Sequence, residues 1–340
     1  MRFSPKTVGV LAAIVTVAIW TSFIVIARAT AHRNLTPLDI CLLRFAGAAL
    51  VLLPWGAWLV WKRARDSAPG AAPPSSWLGL SPLGFRLTAL IGMVGGIGYA
   101  CLAYSGFYFA PAAHASVLLP GTLPLSTTLM AVLILKDRVT PVRAIGLGLI
   151  LLGDILVGGA SLVQAWLQPG SQVWKGDVLF LSASTCWAVY SVLVRKHALQ
   201  AVQATIAISV FAFVAYVPVY GLLVLSGGLV SKLATAPVGE IIFQVMFQGM
   251  GSVVISGISF TKMVQHFGPV RSTMITALVP GLSALGAVLF LGEPLYWNLL
   301  AGLALVTVGI VFGVRMQARP VPLMTPDLIA GDPAATRAKA

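Results

Sequence analysis

Charged side chains are scarce in this chain of 340 residues. Asp, Glu, Lys and Arg make up 9% of it and hydrophobic residues 58%, whereas a soluble domain carries about 25% charged residues. So low a charge content excludes an ordinary soluble enzyme. Uncharged runs of about 20 residues, the length that an α-helix needs to cross a bilayer, recur along the sequence. The sequence therefore predicts an all-α integral membrane protein.

Cysteine is also rare. The three cysteines, Cys41, Cys101 and Cys186, lie within or against apolar runs, and no CxxC pair occurs. This excludes a disulfide framework and a cysteine-based metal site. The motifs HExxH, GxSxG and the P-loop are missing as well. We therefore expect no enzymatic activity, no metal and no cofactor.

Acidic residues are few, 9 against 22 basic residues, which gives a net charge of +13. A basic excess can indicate nucleic-acid binding, but here the basic residues are scattered over short loops between apolar runs. In that position they set the orientation of a membrane protein. We expect membrane lipid and a small-molecule substrate as partners, no nucleic acid, and a monomer or weak dimer.

One stretch occurs twice. Residues 124–153 align without gaps on residues 280–309, with ten identities in thirty positions. The shared features are a proline, two glycines and an acidic residue: Pro124/Pro280, Gly146/Gly302, Gly153/Gly309 and Asp137/Glu293. The alignment predicts a duplicated chain, with a first five-helix repeat over residues 1–160, a second over 161–319 and a disordered tail over 320–340.

The apolar runs predict ten transmembrane helices. They cover about 7–27, 39–61, 87–109, 115–135, 142–159, 177–194, 201–225, 240–263, 272–291 and 295–316. The first run is too long for the apolar part of a cleaved signal peptide, so we expect it to be retained. The proline-rich connection 62–86 is predicted to be the longest flexible loop, and His266 is predicted to lie in a turn.

The basic residues predict the orientation. Seventeen Lys and Arg fall on the side that holds both termini and four on the other, with one inside a helix. The positive-inside rule then places both termini in the cytoplasm, in the inner (plasma) membrane of a bacterium. Because five is an odd number, the second repeat enters the membrane from the opposite face. The repeats are therefore inverted, an arrangement used for alternating access.

Several motifs resemble one transporter superfamily. They are Trp20-Thr21-Ser22-Phe23, Leu43-Arg44-Phe45, Tyr104 followed by Ala110-Pro111-Ala112-Ala113-His114-Ala115-Ser116, the helix with Pro124, and Leu291-Gly292-Glu293-Pro294. Together they resemble the drug/metabolite transporter superfamily in its EamA-type ten-helix form, over about residues 8–316. Within it the chain resembles most the YddG-type exporters of aromatic amino acids. The resemblance implies export of small amino acids or metabolites.

Polar and aromatic side chains within the helices are the candidate substrate-binding residues. Trp20 and Trp187 recur with the same spacing to an arginine, and either line a central space or belong to the interfacial belt of tryptophans. Gln244 and Gln248 share one helix face, and either bind substrate or join helices. The full candidate set is Trp20, Ser22, Arg44, Tyr99, Tyr104, His114, Trp187, Tyr190, Gln244 and Gln248.

Charged and proline residues inside the helices suggest further roles. Arg44 either meets a substrate carboxylate or serves a structural purpose near the end of its helix, where it can extend to the surface. Asp154 is a candidate for charge coupling. Pro120, Pro124 and Pro280 are candidate hinges, because proline removes a helical hydrogen bond.

The sequence therefore favours a secondary transporter that exports a small zwitterion with an apolar, aromatic side chain. The lining is too poor in Lys and Arg for a nucleotide or a multiply charged phosphate. Two alternatives remain open. One is a multidrug or aromatic-cation exporter of the same superfamily, with Asp154 as its carboxylate. The other is a membrane sensor or assembly protein with this fold that transports nothing.

Overall fold

The computed structural model describes residues 5–67, 75–168, 170–276 and 278–315 of the chain. Within these ranges the backbone is helical apart from short turns and one isolated bridge between Trp77 and Ser81. The helices are α1 Pro5–Thr30, α2 Pro37–Asp66, α3 Phe85–Gly92, α4 Tyr99–Phe109, α5 Ala112–Ser116, α6 Leu123–Leu135, α7 Pro141–Leu167, α8 Val173–Lys196, α9 Ala201–Leu225, α10 Val238–Gln244, α11 Ser256–Thr276, α12 Leu278–Leu291 and α13 Trp297–Arg315. The tail 320–340 lies outside the described residues.

Three π-helical segments continue neighbouring α-helices. They are π1 Met93–Gly98, π2 Val117–Gly121 and π3 Val245–Ile255. Counted as continuous passes, eight described stretches are long and apolar enough to span a membrane, and two shorter apolar helices, Leu278–Leu291 and Trp297–Phe312, complete the set. The predicted ten-helix membrane fold is confirmed.

Some helix ends differ from the prediction. α7 continues eight residues past Gly159, because residues 160–167 are mostly apolar and contain neither glycine nor proline. Residues 75–84, which were assigned to a flexible loop, instead pack on α2: a Cβ built on Gly56 would lie 2.1 Å from the carbonyl oxygen of Leu80.

The chain runs in opposite directions in the first part of α11 and in α12. The contacts of α1 show this, since they run down α11 and then up α12: Gly9 with His266, Trp20 with Phe260, Val25 with Gly286 and Arg28 with Glu293. The backbone stays helical up to Thr276, so the prediction of a turn at His266 is wrong. The His266 side chain packs against Gly9 instead, since a Cβ built on Gly9 would lie 2.9 Å from His266 Cβ.

The two repeated helices α7 and α13 cross in an antiparallel pair. A Cβ built on Gly153 would lie 2.7 Å from the carbonyl oxygen of Gly302, and one on Gly309 would lie 2.5 Å from that of Gly146. Exchanging the two repeats maps one of these contacts onto the other. The helices are therefore related by a pseudo-two-fold axis, as inverted repeats require.

This contact leads to a prediction about stability. Gly153→Ala places a methyl group against the backbone of α13, so the helices must separate, and overpacking of this kind costs about 1–3 kcal/mol. We expect a lower melting temperature in detergent. Gly148→Ala is the matched control, because a Cβ there meets nothing within 4 Å. Equal melting temperatures for the two variants would contradict the proposed contact.

Candidate functional site

Arg44 lies in the interior, two turns into α2. Its side chain is buried, and its Nη1 donates to Ser252 Oγ over 3.0 Å and to Tyr104 Oη over 3.4 Å. The guanidinium stands 5.7 Å from the centre of the Phe23 ring. The arginine therefore does not extend to the membrane surface but contacts α1, α4 and π3.

Arg44 lacks an ionic partner. Among the described residues no carboxylate oxygen lies within 4.0 Å of its nitrogens. Both of its hydrogen bonds in the described part of the chain leave from Nη1, so Nε and Nη2 have no protein partner there. Arginine within a bilayer costs about 2.5–3.5 kcal/mol on insertion scales and commonly marks a substrate pathway.

Two buried amides lie in the same helical run as Ser252. Gln248 Oε1 accepts a 2.8 Å hydrogen bond from Tyr104 Oη, but its Nε2 has no partner among the described residues. Both amide atoms of Gln244 are also without a partner there. We call these residues the polar cluster: Arg44, Tyr104, Gln244, Gln248 and Ser252.

Close backbone contact holds the polar cluster together. A Cβ built on Gly47 would lie 2.4 Å from the carbonyl oxygen of Val245, and one on Gly249 would lie 2.6 Å from Gly47 Cα. α2 and π3 therefore touch backbone to backbone, one turn from Arg44. Glycine allows this approach, and the π-helical turns are a common feature of functional sites.

Aromatic rings from α4 and α8 form a second group. The Trp187 ring lies 4.9 Å from that of Tyr99 and 5.0 Å from that of Tyr190, measured between centroids. Gly95 of π1 packs on Tyr190, since a Cβ there would lie 2.8 Å from the ring. Tyr99 and Tyr104 are both carried by α4, so the same helix joins the aromatic group to the polar cluster.

The structure places the other candidates elsewhere. Trp20 stacks on Phe260, with centroids 5.3 Å apart, and Ser22 is half-buried on α1. His114 Nδ1 lies 2.9 Å from Asp177 Oδ1, which joins α5 to α8. These contacts are outside the polar cluster.

Asp154 and the three prolines lie along α6, α7, α12 and π2. Thr122 Oγ1 donates to Asp154 Oδ1 over 2.9 Å, whereas Oδ2 is buried without a partner in the described residues. Pro120 lies in π2. Pro124 and Pro280 stand in the first turns of α6 and α12, where an N–H has no helical partner to lose.

An ion pair at one end of the bundle joins α1 to the turn after α12. We call the end at which α1 begins the near end and the end at which α1 finishes the far end. At the far end Arg28 Nε lies 3.0 Å from Glu293 Oε1, and Arg28 also donates to the Phe107 carbonyl over 2.9 Å. The Glu293 carboxylate accepts further bonds from the backbone N–H groups of Ala112 and Ala113, each over 3.2 Å.

A second ion pair stands at the near end. Arg195 donates to both carboxylate oxygens of Asp137, over 2.6 and 3.3 Å. Asp137 is equivalent to Glu293 in the alignment of residues 124–153 on 280–309, and Arg195 is equivalent to Arg28 because each follows a tryptophan, Trp187 or Trp20, by eight residues. Each pair joins the first helix of one repeat to the turn after the fourth pass of the other. Sequence reasoning recorded all four residues as repeated but missed their pairing, which crosses between the repeats.

Comparison with known proteins agrees with this architecture. The model of the EamA-like transporter family matches residues 7–159 and again residues 174–315. The chain is 27% identical over 110 residues to the "Uncharacterized transporter YyaM" of Bacillus subtilis (strain 168), over 32% of this chain and 34% of that protein. It thus spans about one third of the length of this curated relative.

A crystal structure of a protein 19% identical to this chain shows the same fold. It covers 93% of this chain and 100% of its own, with a TM-score of 0.55. That likeness concerns the fold alone, whereas the two matches to the family model together cover most of the sequence. The chain belongs to the EamA-like transporter family, and it is a multi-pass membrane protein.

Proposed function

We propose that the chain is a secondary transporter that exports a small amino acid with an apolar, aromatic side chain. The observation that carries this proposal is the unpaired Arg44. Its Nε and Nη2 are free of protein partners in the described residues, and a guanidinium presents such donors in the fork geometry that matches a carboxylate. A substrate carboxylate supplies the missing counter-charge.

The side-chain amides of Gln244 and Gln248 suit the ammonium and carboxylate groups of such a substrate. Gln244 Oε1 can accept from a substrate ammonium, and Gln248 Nε2 can donate to the carboxylate. Each of these atoms is buried without a partner, and leaving a buried polar atom unsatisfied costs about 1–3 kcal/mol. A bound zwitterion removes that cost, which favours binding of a group with both charges.

The rings of Tyr99, Trp187 and Tyr190 suit the apolar part of the substrate. Aromatic rings prefer offset or edge-to-face neighbours at 4.5–7 Å, and sites for small molecules combine such rings with a few polar groups. The preference for aromatic side chains and the direction of transport rest on the resemblance to YddG-type exporters. The lining is poor in cationic groups for a nucleotide.

The two ion pairs fit alternating access between inverted repeats, which we place at residues 1–160 and 161–319. On this proposal the Arg28–Glu293 pair closes the far end and the Arg195–Asp137 pair closes the near end, and each opens in turn. The equivalence of the pairs under repeat exchange supports the scheme. Pro120, Pro124 and Pro280 are the proposed hinges, and Asp154 is the proposed site of charge coupling.

The first test is transport into liposomes. Wild-type protein is expected to move labelled phenylalanine or tryptophan faster than empty liposomes do. Arg44→Gln should reduce this rate at least tenfold and Trp187→Ala should raise the KM, whereas Arg33→Gln, at an exposed arginine, should leave both unchanged.

Other outcomes would select another function. Flux of an aromatic cation that Asp154→Asn abolishes, without amino-acid flux, would overturn the assignment in favour of cation export. Absence of flux across a panel of amino acids and cations would favour a protein that transports nothing.

The second test uses the difference between the two ion pairs. Exchanging the near-end charges, Asp137→Arg with Arg195→Asp, should restore the flux that either single change reduces. The equivalent far-end exchange, Glu293→Arg with Arg28→Glu, should stay inactive, because the N–H groups of Ala112 and Ala113 need an acceptor at position 293. Rescue at both ends, or at neither, would count against these pairs as gates.

The third test is orientation. We propose that the near end faces the cytoplasm, because it carries most of the basic residues. In a variant without the native cysteines, a cysteine at Gln172, at the far end, should react with an impermeant thiol reagent in intact cells. A cysteine at His197, at the near end, should stay unlabelled until the membrane is permeabilised. The opposite pattern would reverse the orientation.

A further inference from the structure

A groove lies on the outside of the bundle, away from the polar cluster. It runs between the near-end parts of α2 and α9 and has a volume of about 790 Å³. Its deeper walls are apolar, with Trp55, Trp58 and Val202, whereas its outer rim is polar, with Lys62 and Gln203. The groove therefore grades from apolar to basic over about two helical turns.

The apolar end continues towards the middle of the membrane. Trp55 and Val202 also line an adjoining cleft between α2, α9 and α11, where Leu52, Val254 and Ile258 form the walls. Leu52 precedes Trp55 by one turn, away from the near end of α2. The cleft is small, about 10 Å³, so the groove holds most of the space, and an apolar surface on which a hydrocarbon chain can lie runs from it along the side of the bundle.

The rim carries an uncompensated positive charge. No carboxylate oxygen of the described residues lies within 4.0 Å of Lys62 Nζ, which instead stands 5.3 Å from the centre of the Trp58 ring. Asp66, the acidic residue of the groove, is paired with Arg65 over 3.5 Å. Arg63 also lines the rim and donates to the carbonyl of Pro82 over 3.1 Å.

The first turn of α9 adds hydrogen-bond donors. The helix begins at Ala201, and its first N–H groups, at Val202 and Gln203 among them, have no partner within the helix. A helix N-terminus of this kind favours an anion. The 25-residue helix and Lys62 therefore present positive charge to the same rim from two sides.

We propose that this groove binds one anionic phospholipid, with its phosphate between Lys62 and the start of α9 and an acyl chain along Trp55 and Val202. Trp58 and Trp61 are half-exposed and lie within about one turn of Lys62 on α2. Tryptophans are enriched where a bilayer meets water. A soluble phosphate uses only the rim, whereas a phospholipid also covers the apolar walls. The inference does not depend on the proposed substrate.

The test compares lipids on the purified full chain by native mass spectrometry. Wild type is expected to retain one phosphatidylglycerol in preference to phosphatidylcholine. Lys62→Gln should weaken that preference about fivefold, the effect of one basic residue near a charged membrane surface. Lys196→Gln removes the same charge from an exposed near-end position outside the groove, and should leave the preference intact.

A second variant tests the apolar half. Val202→Trp fills the apolar end of the groove without changing charge, so it should release the lipid although Lys62 remains. Equal retention of both lipids by wild type would overturn the proposal, as would equal losses in Lys62→Gln and Lys196→Gln. Displacement of the lipid by millimolar glycerol phosphate would show a soluble-anion site instead.

Discussion

The antiparallel contact between α7 and α13 is the constraint on which the rest of the structure depends. Gly153 meets Gly302 and Gly146 meets Gly309 at distances that no side chain allows, so these helices define a pseudo-two-fold axis in the plane of the membrane. In the proposed inverted repeats, equivalent residues therefore lie at opposite ends of the bundle. The two ion pairs follow from this, since equivalent residues fall at opposite ends. The same glycine contact occurs twice, and the same symmetry relates the two ion pairs.

In the low dielectric of a bilayer, a buried polar group is stable only when its hydrogen bonds are made, either within the protein or with a ligand. Asp39 is buried, but it accepts hydrogen bonds from the N–H groups of Thr36 and Lys232 and from the hydroxyls of Ser231 and Tyr220. The Asp39 carboxylate is thus hydrogen-bonded at both oxygens within the protein. Arg44 lies in the same helix, but among the described residues only its Nη1 has partners, and neither amide atom of Gln244 has one there. Because burial of unsatisfied groups is costly, this contrast supports the proposal that the substrate binds at the polar cluster rather than at Asp39.

The sequence predicted the ten passes and most of the polar cluster, because both depend on composition along one helix. Four members of the cluster were candidates from their residue type within an apolar run, and only Ser252 was missed, since serine is unremarkable there. Helix ends were less predictable. The sequence predicted a turn at His266, but the backbone there is helical, and His266 packs against Gly9 in a distant part of the chain. The π-helical segments were not predicted either, since an extra residue in a turn reflects contacts such as Gly47 with Gly249, which join distant parts of the chain.

The ion pairs show how two similar closures acquire different strengths. The side chains of Arg28 and Glu293 are 23% and 13% exposed, whereas those of Arg195 and Asp137 are 63% and 29% exposed. Exposed pairs contribute about 0–1 kcal/mol because water screens them. The far-end carboxylate is screened less and also accepts two backbone hydrogen bonds. If these pairs are the gates, the near end opens more readily in the absence of substrate. Substrate can shift that balance only by binding the far-end-open state more tightly, so the polar cluster must change its contacts as the far end opens.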